Sequence, residues 1–265
     1  MNIFKLLCAA AVSAALLTGC GESASQPESS DPSCSDTQSS SADITAETNA
    51  PAASEPVLTA EAPLITVNVL PDSWQIDVPA LLQEPELPTG CEITSLTCLL
   101  NYLGFPVDKE VMVDTYLDYE PVNGTDYTFF EKYVGNPRAA GYGCYSPVIV
   151  KAATDFLADQ NSSLEAVNLS GSTKEELMLV IASGHPIVIW NTLEASDVSE
   201  VLVWTTPDGT DVYWCKLEHC MLLTGYDLNA NTVTVCDPMV GVVSYDLTQF
   251  FKVYDDMYQQ AMTIY

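Results

Sequence analysis

Apolar residues recur every three or four positions after Cys91, with Leu96, Leu99, Leu100 and Leu103 in step. This spacing predicts a mostly apolar helix from about Cys91 to Leu103, ended by Gly104. Asp108 is placed to cap a second helix through Leu117. Periodicity then lapses. The stretch from Tyr119 to Gly143 carries Gly124, Gly135, Pro137, Gly141 and Gly143 and is expected to be a long loop. Ser146-Pro147 reads as a cap with proline at the first helical position, opening a helix to about Asp159. Leu164 to Leu169 predicts a short strand, and Ser172 with Glu175 a capping box for a helix ending at Gly184. After that the pattern changes character. Pro186–Trp190, Val201–Thr205, Val212–Leu217, Cys220–Tyr226, Thr232–Cys236 and Val242–Tyr245 are rich in β-branched and aromatic residues, and Asn229 to Asn231 supplies a tight turn between two of them. A short helix around Thr248–Asp255 and a last strand at Ala261–Tyr265 complete the chain. Helices first and an antiparallel sheet afterwards predict an α+β fold, N-terminal helices packed on a C-terminal sheet.

The N-terminal part has another character. Leu6 to Leu17 is an apolar run of ~12 residues after Lys5, too short to span a bilayer and suited to a signal peptide. It ends in Leu-Thr-Gly-Cys (17–20), which resembles the lipobox of bacterial lipoproteins; the resemblance implies cleavage after residue 19 and a diacylglyceryl group on the Cys20 thiol. Residues 20–62 contain no aromatic and no basic side chain, so they are expected to form a flexible acidic tether. Cys34, within it, reads as a stray thiol. Residues 63–265 form one domain, which holds every aromatic residue except Phe4. Of the 36 acidic and 8 basic residues in the chain, 28 and 7 fall in this domain. So negative a surface repels phosphate backbones, and nucleic acid is excluded as a partner.

Candidate chemistry centres on Cys91. The turn Pro88-Thr89-Gly90 delivers it to the head of a helix, where free N–H groups and the helix dipole favour a thiolate. This predicts a thiol pKa below the free value of about 8.5. Glu92 opposes that effect if its carboxylate faces the sulfur. Far downstream come His219 and Asp237, and cysteine, histidine and carboxylate in this order are what a papain-like cysteine hydrolase requires. Asp227 is the alternative third member, although it reads as a turn residue. Cys215, His219, Cys220 and Cys236 raise the question of zinc, but adjacent strand residues face opposite ways, and no metal or other cofactor is expected. Cys98, seven residues after Cys91, reads as a core residue of the same helix, and His185 as structural.

Glu-Leu-Pro-Thr-Gly-Cys-Glu (86–92), Asn101–Gly104, Gly184–Trp190, Glu218–Met221, Gly225–Asp227 and Cys236–Pro238, with Gln83 ahead of them, together resemble the bacterial cysteine peptidase family 39, papain-like relatives of the double-glycine leader peptidases. The resemblance runs from about Trp74 to the C-terminus. It implies Cys91 as nucleophile, His219 as general base, Asp237 as the group orienting it, and Gln83 as an oxyanion donor beside the Cys91 N–H. The resulting expectation is a lipid-anchored, extracytoplasmic, monomeric peptidase acting on a peptide or protein through a thioester. A binding module without turnover, or an amidase or transferase with the same residues, is the alternative.

Overall fold

The computed structural model describes residues 69–265; the signal peptide, Cys20, Cys34 and the tether lie outside the described residues. Strand β1 (Ser73–Gln75) is followed by helices α1 (Cys91–Tyr102) and α2 (Lys109–Thr115), the two-residue strands β2 (Tyr119–Glu120) and β3 (Tyr133–Val134), and α3 (Ser146–Asp159). Then come β4 (Ala166–Asn168), α4 (Lys174–Ala182), β5 (Ile187–Thr192), β6 (Glu200–Thr205), β7 (Asp211–Cys215), β8 (Glu218–Asp227), β9 (Thr232–Asp237), β10 (Gly241–Asp246), α5 (Leu247–Asp256) and β11 (Ala261–Ile264). The main sheet has the order β10-β9-β8-β5-β11-β4, with β1 paired to the far end of β8, and all its pairings are antiparallel.

Helix α1 is buried from Cys91 to Leu100, including its polar positions. Burial on every side requires internal partners for those groups. Thr97 Oγ1 donates to the Ile93 carbonyl at 2.7 Å, and Ser95 Oγ donates across to the Cys220 carbonyl of β8 at 3.2 Å. The first stays within the helix, and the second ties α1 to β8, near the middle of the sheet. On the same face the indole of Trp190 donates to the Cys144 carbonyl at 2.7 Å, just ahead of α3. Helix α5 covers the other face, where Asn191 Nδ2 donates to the Phe250 carbonyl at 2.9 Å.

The structure corrects the helix starts. The capping box is formed by Thr173 and Glu176, one residue beyond the expected Ser172 and Glu175. Tyr145 occupies the cap position of α3 with no side-chain bond, while Ser146 lies inside the helix and its hydroxyl donates to the Ala261 carbonyl at 3.0 Å. Asp108 caps α2 as expected, accepting from the Glu110 N–H at 2.7 Å. Strands β6 and β7 form a hairpin sheet of their own, separate from the main sheet. Its inner residue Trp214 packs on Phe129, with ring centroids 4.4 Å apart, so the long glycine-rich stretch, expected to be a loop throughout, is held by aromatic contacts as well as by the short β2–β3 pairing inside it.

Candidate active site

Gly90 stands at the cap of α1, and it has no room to be anything else: a Cβ there would come within 2.8 Å of Leu87 Cβ. The tight approach places Cys91 at the first helical position, 6% exposed. Its sulfur donates to Glu92 Oε2 at 3.3 Å. The Glu92 side chain is fully buried, and its other oxygen accepts from the Cys144 N–H at 2.8 Å. Gly143, immediately before that amide, leaves the space the carboxyl occupies, since a Cβ there would collide with Glu92 Oε1. Glu218, at the start of β8, brings a second carboxylate, and the ligand atoms of Cys91, Glu92 and Glu218 all lie within 4.8 Å of one another.

Three acidic groups therefore crowd one buried spot, where burial opposes the ionisation of all three and acidic neighbours add to it for Cys91 and Glu218. Burial pushes the Glu92 carboxyl up to about 7. Burial, then the neighbouring Glu92, drives Glu218 well above the usual carboxylate range. The Cys91 thiol is pushed well up by burial, by Glu92 and by Glu218. The expectation of a lowered thiol pKa is thus reversed in this arrangement: Glu92 faces the sulfur, and two acidic neighbours in a dry site outweigh the helix dipole.

His219 and Asp237 form the second half of the candidate site. His219 Nε2 and Asp237 Oδ1 are 2.8 Å apart, and both side chains are buried. Asp237 Oδ1 also accepts from the Met239 N–H at 2.8 Å, and Oδ2 from the Tyr245 hydroxyl at 3.1 Å. Burial acts to raise this carboxyl, but His219 and these donors outweigh it and hold it below the ordinary aspartate value. Asp227 is occupied elsewhere, accepting the Asn229 and Ala230 N–H groups in the turn after β8. With Nε2 on Asp237, the imidazole has Nδ1 left for other work.

The structure does not join the two halves. The bond made by the Cys91 sulfur is to Glu92, and no hydrogen bond links it to His219 among the described residues. Strand alternation accounts for this. Glu218 is directed toward Cys91 on the α1 face, and Cys220 shares that face. His219, between them, pairs with Asn191 on the α5 face. Gln83 sits against the turn after Asp237, its N–H donating to the Pro238 carbonyl at 2.7 Å. Its Nε2 donates to the Pro88 carbonyl at 3.0 Å, so one amide hydrogen is taken by the loop before Cys91, while Oε1 is buried without a partner. In the sequence Glu218 carries no signal of its own beyond its place in the Glu218–Met221 run. The alternation that argued against a shared metal for His219 and Cys220 also puts residue 218 on the cysteine side. His185 packs its ring edge-on against Tyr265 at 4.7 Å, away from this region.

Helices on both faces of an antiparallel sheet, a cysteine heading the buried helix and a His–Asp pair on adjacent strands define a papain-like α+β protein. The chain belongs to the Peptidase_C39 like family, whose model matches residues 75–262. It is similar to the uncharacterized protein YvpB of Bacillus subtilis (strain 168), 28% identical over 194 residues that cover 69% of this chain and 72% of that protein. Among solved structures it is similar to a protein from Bacillus anthracis described as a C39-like peptidase, at 29% identity and a TM-score of 0.64, covering 73% of this chain and 97% of the other. Xylellain, a cysteine protease from Xylella fastidiosa, matches at 12% identity and a TM-score of 0.38, over 78% of this chain and 90% of its own.

Proposed function

We propose that this protein is a cysteine peptidase whose nucleophile shifts on engaging substrate, with Cys91 as that nucleophile and the His219–Asp237 pair as its base and orienting acid. The observation that carries the reading is the buried bond between His219 Nε2 and Asp237 Oδ1, which fixes the imidazole with Nδ1 free to take a thiol proton. A buried, oriented histidine next to the strand end that faces the cysteine helix is costly to keep for packing alone. Cys91 and Glu218 each begin their element, so the sulfur stands at the end of β8 rather than over its middle. Catalysis requires Cys91 to leave Glu92, pass that end and meet Nδ1. There the thiol gives up its proton to the imidazole, the thiolate attacks a peptide carbonyl, and the imidazolium protonates the leaving amine. The second amide hydrogen of Gln83 and the Cys91 N–H are the candidate oxyanion donors. The chain is further proposed to act outside the cytoplasm, anchored by a lipid on Cys20.

A second reading, a peptide-binding module without turnover, is favoured by the neutral, covered thiol. Hydrolysis of a mixed peptide library separates the two. The peptidase reading expects cleavage by the parent protein that falls at least ~1000-fold in Cys91→Ala and in His219→Ala. Cleavage absent from the parent, or unchanged in both variants, would remove the assignment.

A further inference from the structure

We infer that Cys98 and Cys236 form a disulfide that ties the helix headed by Cys91 to the strand ending at Asp237. Cys98 lies two turns along α1 from Cys91, and Cys236 immediately precedes Asp237 on β9. Cys236 is paired with Leu222, on the face of the sheet that meets α1. The two sulfurs sit under consecutive residues of one strap: Cys98 Sγ donates to the Pro79 carbonyl at 3.3 Å, and Cys236 Sγ to the Val78 carbonyl at 3.4 Å. Both are free thiols in this structure, and their bonds to consecutive carbonyls of one strap bring the two side chains into the same layer between α1 and β9. Both residues are nearly covered, at 3% and 4% exposure, but Pro79 and Ala80 above them are exposed, so the cover is one chain thick.

The chemistry is thiol–disulfide exchange with a low-molecular-weight disulfide as oxidant. In this structure each S–H donates to its own strap carbonyl, and once Cys98 releases its proton to solvent its thiolate is the attacking sulfur. It attacks one sulfur of the oxidant, forming a mixed disulfide and releasing one small thiol. Cys236 then gives up its proton and attacks the Cys98 sulfur, releasing the second. Two protein thiols are oxidised, one small disulfide is reduced to two thiols, and the atoms balance. None of this draws on the proposed peptidase chemistry.

The test uses the full chain and its Cys91→Ala form, equilibrated with oxidised and reduced glutathione, quenched with an alkylating agent and mapped without reduction. The expected result is one cross-linked peptide pair carrying Cys98 and Cys236, ~2 Da lighter than the two thiol peptides together, in both forms. Cys144, Cys215 and Cys220 should remain free. Reduction should lower the melting temperature of the parent, while Cys98→Ala and Cys236→Ala should melt at the same temperature with or without reductant. If either variant fails to fold, the parent map alone decides. Alkylated Cys98 and Cys236 after unfolding and refolding in the same buffer, or a cross-link to another cysteine in their place, would overturn the inference.

Discussion

Glu92 is the residue on which the chemistry of the site turns. As a carboxylate it repels the thiolate that catalysis needs, and as a carboxylic acid it is a harmless partner for a thiol. Its folded-state pKa, raised from 4.5 to about 7, makes it a pH-dependent liability to stability. Below about 4.5 it is protonated in folded and unfolded chains alike and costs nothing through ionisation. As pH rises toward 7 the unfolded chain ionises more readily, and the cost reaches roughly 3 kcal/mol above that point, at 1.36 kcal/mol per unit. Glu218 carries a cost of the same sign. Urea midpoints measured between about pH 5 and pH 8 should therefore fall with rising pH, and Glu92→Gln should flatten much of that fall. Gln keeps the oxygen that accepts the Cys144 N–H, so the fold is expected to survive. A parent protein equally stable at both ends would show that Glu92 does not titrate with folding. The same variant removes one of the two carboxylates that hold the thiol up, so the alkylation profile of Cys91 should move to lower pH. An unmoved profile would mean that Glu92 does not act on the sulfur.

At the level of elements, the sequence was readable wherever one physical signal decided the outcome. The leucine spacing after Cys91, Asp108 as a cap and the β-branched runs from Ile187 onward gave α1, α2 and most of the main sheet. The capping box was displaced by one residue because Ser172 and Thr173 both precede a glutamate three positions on, and local chemistry does not choose between them. Thr173→Ala should cost ~1 kcal/mol in chemical denaturation and Ser172→Ala much less; equal effects would contradict the observed cap. Ser146 escaped correct placement for a tertiary reason, since its hydroxyl serves Ala261 on β11 rather than its own helix. Of the site, the pairing of His219 with Asp237 rather than Asp227 was legible, because an aspartate two residues before an asparagine-rich turn has local work to do. The side of β8 on which each residue falls was not. It depends on the pairing of Asn191 with His219 and on the seating of α1, both of which are set by the assembled sheet.

For the whole molecule, a negatively charged domain behind a long acidic segment suits attachment to a surface at a distance. Among the described residues no helix is long and apolar enough to cross a membrane. Membrane attachment is proposed to rest on the Cys20 lipid. Cys20→Ser should move the protein from the membrane fraction to the soluble one or leave its precursor unprocessed, and a processed variant that stays with the membranes would refute the anchor. The domain itself joins a fixed His–Asp pair to a cysteine whose thiol is bonded to a buried carboxyl on the α1 side of β8. That combination makes sense for an enzyme only if the sulfur changes sides in use. The most direct test is a crystal structure of the protein reacted with a peptide-like thiol electrophile. The account predicts a covalent bond to Cys91, with the sulfur withdrawn from Glu92 and within about 4 Å of His219 Nδ1. An adduct whose sulfur still lies against Glu92, with His219 on the far face of β8, would contradict it.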